Sequence, residues 1–141
     1  HAPAVVIVPI DLQGDLIFVS QYRYAVGMKM LEFPAGGLDK GETPEACAQR
    51  ELREETGLAS ARLLSLGGYW SAPGFLTEYL HVFLALDLYN SKLEPDADEL
   101  ITTSKFPLND VKSMIANGEI QDSKSIAALY LAINSTDFPV S

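Results

Sequence analysis

Between Gly36 and Leu58 the chain reads "GGLDKGETPEACAQRELREETGL", a helix with marked ends and an acidic cluster near one of them. Thr43 can cap a helix whose first position is Pro44, Glu45 falls in its first turn, and Gly57 offers a left-handed stop. Into the last turns the sequence crowds Glu51, Glu54 and Glu55. On an ideal helix Glu54 lies about 60° to one side of Glu51 and Glu55 about 40° to the other, so the three carboxylates share a face and repel. The negative end of the macrodipole disfavours them further. Such crowding calls for a compensating positive charge.

Hard cations supply it. Mg²⁺ and Mn²⁺ prefer carboxylate and carbonyl oxygens, and a pair of ions about 3.5–4 Å apart can orient a phosphoryl group and activate water. Arg50, four residues before Glu54, can hold one carboxylate and offset part of the repulsion. The competing view of "RELREE" is a solvated helix face with ordinary ion pairs.

Around this helix the pattern is that of an α/β layered domain. Ala4 to Ile10 and Leu16 to Tyr22 are β-branched and apolar, and the break "DLQGD" between them predicts a hairpin. Arg23 to Met30 reads as a loop, and "LEFPAGG" as a short extended segment stopped by Pro34 and the glycines. Strands are predicted over Ala61–Trp70 and Phe75–Leu88, joined through "SAPG", the second apolar enough to be an inner strand. After the acidic loop "NSKLEPDADE" comes a strand from Leu100 to Phe106, then helices from Leu108 to Ala116 and from Ser123 to Ile133. Ile126, Leu129, Tyr130 and Ile133 recur at helical spacing on the last one and are assigned to core or interface packing. Tyr22, Tyr24 and Trp70 are assigned to the core, with stacking on a base as the alternative.

The 141 residues suit one domain, residues 1–141, and 48% hydrophobic with 21% charged residues is a globular composition. A net charge of -9 argues against a general affinity for nucleic acid or anionic membranes. It leaves room for an anionic substrate if divalent cations stand between carboxylates and phosphates. No apolar run is long enough to span a membrane. Cys47 is the only cysteine, which excludes an intrachain disulfide and points to a reducing compartment, by default the cytoplasm. Among alanines on the acidic helix, it reads as a small buried thiol. His1 and His81 have no partner at metal spacing, so no zinc site is expected. The start at His1, almost directly before a strand, suggests that an N-terminal segment is absent.

From Gly36 the chain gives glycine, five residues, Glu42, seven residues, then Arg50-Glu51-Leu52-Arg53-Glu54-Glu55-Thr56-Gly57-Leu58. This matches every specified position of the Nudix box, GX5EX7REUXEEXGU with U aliphatic, and the chain is identified as resembling that family. "QYR" at Gln21–Arg23, "LEFPAGGLDKGE" and "SAPGF" resemble its ADP-ribose pyrophosphatase and nucleoside-diphosphate-sugar hydrolase branch, in which a proline stands about fifteen residues past the box, as Pro73 does.

The resemblance implies a Nudix fold, a mixed β-sheet sandwiched between α-helices, and a Mg²⁺-dependent hydrolase, with Mn²⁺ a possible substitute, cleaving the diphosphate of ADP-ribose or a related nucleotide sugar. It implies Glu51 and Glu55 as main metal ligands, Glu54 in or beside them, and the Ala35 carbonyl as another. Glu42, the outlying acid of the box, would be a weak ligand or would support the ligands from behind. The general base would lie on the acidic loop, Glu99 first, then Asp98, with Asp96 a third candidate. Arg23 would contact the diphosphate, Gly37 would admit the ligand, and Pro73 and Phe75 would shape the pocket, with Glu78 nearby. Members of the branch are commonly homodimers. Other substrates kept open are nucleoside triphosphates, dinucleotide polyphosphates and isoprenoid diphosphates. A domain that senses a nucleotide sugar without cleaving it is a further alternative, which the complete set of box carboxylates disfavours.

Overall fold

The computed structural model describes residues 3–94 and 101–139. Along these the chain forms β1 (Ala4–Pro9), β2 (Asp15–Arg23), β3 (Met28–Glu32), β4 (Ala35–Gly37), α1 (Pro44–Thr56), β5 (Leu58–Trp70), β6 (Tyr79–Asn90), β7 (Thr102–Pro107), α2 (Leu108–Ala116) and α3 (Ser123–Ile133). The strands make a four-stranded mixed sheet, in the order β4-β1-β6-β5, and a three-stranded antiparallel sheet, β3-β2-β7.

β1 is the pivot. Every one of its residues is buried, because helices or strands cover both of its faces. Val5 and Ile7 pack with Cys47, Ala48 and Leu52 of α1. Ala4, Val6 and Val8 enter the larger core with Phe18, Phe33, Leu84, Leu129 and Ala132. A strand covered on both faces reads as a continuous apolar run, and so does β6, its parallel neighbour and an inner strand as expected.

The expected hairpin of the first two apolar segments is not formed. Asp11 closes the reversal by accepting the amides of Gln13 and Asp15 at 3.0 and 2.9 Å, yet beyond this turn the two segments share just an isolated bridge, between Ile10 and Leu16, among the described residues. Both edges of β1 are already taken, by β4 and β6, so β2 pairs with β3 and β7 in the other sheet. The loop expected over Arg23 to Met30 shrinks to a tight turn, with Gly27 at φ 67°, between paired strands. Phe33 and Pro34 then carry the chain from β3 in one sheet to β4 in the other.

The helices follow the sequence closely. Thr43 accepts the amide of Ala46 at 3.1 Å, a cap worth about 1 kcal/mol, and Gly57 at φ 74° closes the helix onto the Arg53 carbonyl. The strand bounds move more. β5 begins at Leu58 directly after the cap, and β6 begins only at Tyr79, leaving 71–78 as a loop. β7 begins at Thr102.

Tyr22, Tyr24 and Trp70 are all exposed, which corrects their assignment to the core. Tyr22 and Tyr24 sit at the far end of the β2–β3 hairpin, edge to face with centroids 4.8 Å apart. Trp70 ends β5, an edge strand, and rests against Tyr79. No helix among the described residues is long and apolar enough to cross a membrane.

Candidate active site

α1 lies across β1 and β4, which directs its acidic face at the turn after Pro34. Glu51 is buried there against Gly36, which has no side chain to displace it. Burial, with Glu54 adding repulsion, pushes the Glu51 carboxyl up to about 7 despite the neighbouring Arg50. Glu55 accepts the Ala35 amide at 3.3 Å, tying the helix to β4.

Arg50 takes the role the spacing suggests and more. Its Nη1 donates to Glu51 at 2.9 Å and to Glu54 at 3.4 Å. Its Nε and Nη2 form a fork on Glu42 at 2.8 and 2.9 Å, and Nη2 also reaches the Gly37 carbonyl at 3.1 Å. The fork holds the Glu42 carboxyl down at about 2. Glu42 therefore anchors the arginine that disciplines the other acids. Cys47 is buried beside this network, its thiol pushed up to about 12 by burial, and it is inert as a nucleophile at neutral pH.

Glu51, Glu55, Ala35, Gly36 and Gly37 form one wall of a cavity of about 540 Å³. Gln21, Arg23 and Lys124 form another, and Glu78 and Leu80 complete it. Arg23 is held by Glu32, a buried carboxylate that accepts its Nε and Nη2, each at 2.7 Å. Lys124 Nζ, from α3, donates to the same carboxylate at 2.6 Å. Burial works to raise the Glu32 carboxyl, and the hydrogen bonds from Arg23 and Lys124 more than reverse this, leaving it below the ordinary value.

The structure brings together Ala35, Gly37, Glu51, Glu55 and Arg23. Glu54 faces the adjoining groove, beside Arg53, Thr56 and Lys92. Pro73 and Phe75 sit in the exposed 71–78 loop and do not line the cavity; of that region Glu78 does. A Cβ on Gly37 would meet nothing within 4 Å, so this glycine is not demanded by the protein's own packing. Asp96, Asp98 and Glu99 lie outside the described residues. Sequence reasoning missed Glu32 and Lys124. Lys124 carries no local signal, since 92 positions separate it from the carboxylate it meets.

Among the described residues no three acidic, histidine or cysteine side chains already stand as a cation cage, and Arg50 donates to Glu51 and Glu54. The donor set nonetheless fits a hard divalent cation. Glu51 is a desolvated carboxylate in need of positive charge, Glu55 and Ala35 share its wall, and every donor is oxygen. Gly36 keeps the space into which the Glu51 carboxyl fits.

The NUDIX domain family matches residues 1–129. The ADP-ribose pyrophosphatase of Bacillus subtilis is 37% identical over 131 residues, 92% of this chain and 71% of that protein. The ADP-ribose pyrophosphatase of Mycobacterium tuberculosis is 38% identical over 138 residues, 96% of this chain and 66% of that protein. A crystal structure of an ADP compounds hydrolase superposes with a TM-score of 0.84 at 30% identity, covering 92% of this chain and 69% of the other.

Proposed function

The chain belongs to the Nudix family and is a Nudix pyrophosphohydrolase, and we propose that it cleaves the diphosphate of ADP-ribose or a related nucleoside diphosphate sugar. The products are a nucleoside monophosphate and a sugar phosphate, and the reaction uses Mg²⁺, with Mn²⁺ able to substitute. One observation carries this reading: a single cavity has carboxylates on one wall and cations on the other. A diphosphate with a metal ion between it and the carboxylates would satisfy both.

In this proposal Glu51, Glu55 and the Ala35 carbonyl hold the cation, which when bound neutralises phosphoryl charge and makes water easier to deprotonate. Glu54 stands beside them. Arg50 orients Glu51 and keeps the acidic face together while the site is metal-free. Arg23, fixed by Glu32, offers its guanidinium to the diphosphate oxygens. Gly37 leaves open space for the ligand. Pro73 and Phe75 belong to a loop that would border the sugar or base. The base that takes the proton from water is assigned from the sequence resemblance to Glu99, with Asp98 next. A homodimer and a cytoplasmic location complete the proposal.

The test is incubation with ADP-ribose, GDP-mannose, UDP-glucose, ATP and GTP, each with Mg²⁺ and with chelator, and mass spectrometry of the products. Metal-dependent release of a nucleoside monophosphate is expected. Intact ligands throughout, or preferential attack on nucleoside triphosphates, would overturn it.

A further inference from the structure

Glu32 is the hidden centre of the cationic wall. Its side chain is 2% exposed, while those of Arg23 and Lys124 are 42% and 21% exposed and reach the cavity. Arg23 Nη2 and Lys124 Nζ donate to the same oxygen, Oε1, and Arg23 Nε takes Oε2. The carboxylate thus joins a residue of β2 to a residue of α3.

The α3 end of this link is itself fixed. Lys124 Nζ also donates to Asp122 at 3.0 Å, and Asp122 caps α3 by accepting the Ser125 amide at 3.2 Å and the Ser125 hydroxyl. Ser125 Oγ accepts the Phe33 amide at 2.9 Å, one residue beyond Glu32. From β5, the Tyr69 hydroxyl donates to the Lys124 carbonyl. Two carboxylates therefore hold the Lys124 ammonium group, while β5 and the residue after β3 fix the backbone of α3 that carries it.

A buried carboxylate with a single cationic partner would neutralise that partner and draw it inward. Sharing the charge between two cations leaves Arg23 with positive potential to offer a ligand, and occupying Oε1 from the α3 side limits where the guanidinium can sit. We propose that Lys124 is a positioning residue that acts through Glu32 to keep Arg23 directed at, and charged toward, the substrate diphosphate. This rests on Arg23 as the diphosphate contact. It assigns α3, which carries none of the box residues, a part in substrate affinity.

The test is a set of steady-state measurements on Lys124→Met, Lys124→Gln, Lys124→Arg, Arg23→Ala and the Arg23→Ala/Lys124→Met double variant, with thermal melts for each. Lys124→Met is expected to raise KM about tenfold with kcat changed less than about threefold, and Lys124→Arg to restore most of the loss. In the Arg23→Ala background the same lysine change should add less than about twofold, because its route to the ligand is gone. Lys124→Gln, which keeps a donor, gives the same reading if the methionine variant does not fold.

A full effect of Lys124→Met in both backgrounds would overturn the proposal, since the lysine would then act without Arg23. So would an unchanged KM in folded Lys124→Met and Lys124→Gln. If Arg23→Ala itself leaves KM unchanged, the diphosphate assignment falls and the inference with it, an outcome distinct from the other two.

Discussion

A Cβ built on Gly36 would stand 2.2 Å from the carboxyl carbon of Glu51. The glycine is therefore the space in which the helix carboxylate rests. Gly36→Ala must push that carboxyl away from the Ala35 wall, and because the clashing group is the end of a flexible side chain, the fold can absorb it. The expected result is a melting temperature within a few degrees of wild type and a loss in kcat/KM of about 100-fold, the scale on which an ångström of misplacement is felt. Steady-state kinetics beside a thermal melt checks both halves.

Glu51 makes the metal-free protein sensitive to pH. Its carboxyl is raised from the ordinary 4.5 to about 7 on folding, so the folded state binds more protons than the unfolded one between those values. The sign follows: this contribution is present below pH 4.5 and lost as pH rises through about 7, to a limit of about 3 kcal/mol. Glu51→Gln removes the dependence. In chelator, the variant should gain on the wild type between pH 5 and pH 8, read as the difference in melting temperature at each.

Glu32 works the opposite way. Its carboxyl is lowered on folding, because hydrogen bonds from Arg23 and Lys124 outweigh its desolvation. The stability it confers is present above about pH 4.5 and lost as pH falls through its lower folded value. Denaturant unfolding of wild type and Glu32→Gln from pH 6 to pH 3 should show the wild type losing its advantage as the solution is acidified.

Gly68 tests the fold apart from the chemistry. It lies where the β5–β6 register shifts, and a Cβ there would stand 2.3 Å from the Leu80 carbonyl oxygen. Backbone cannot step aside as a carboxyl can. Gly68→Ala should cost about 2 kcal/mol or more, measured by denaturant unfolding, with the loss appearing in stability before it appears in catalysis.

What the sequence disclosed followed from how local each signal was. α1 was legible to the residue because Thr43, Pro44 and Gly57 act on their own neighbours. The acidic face of α1 was legible because Glu51, Glu54 and Glu55 are fixed relative to one another by helical geometry, though not that Glu54 would turn to the adjoining groove. Pairing was not: β1 and β2 look like a hairpin, and only the occupation of both β1 edges by β4 and β6 reveals why they part. The same limit hid Lys124, whose meaning depends on α3 docking beside β3. Tyr22 and Tyr24 were misplaced because aromatic character marks a contact surface without saying whether it faces the core.

Glu51 and Glu55 carry the central claim, and turnover of ADP-ribose by their glutamine variants tests it most directly. Wild type with Mg²⁺ should release AMP and ribose 5-phosphate, while Glu51→Gln and Glu55→Gln, folded by their melting curves, should be slower by about three orders of magnitude. Undiminished turnover in both variants would contradict the assignment of these carboxylates to the reaction.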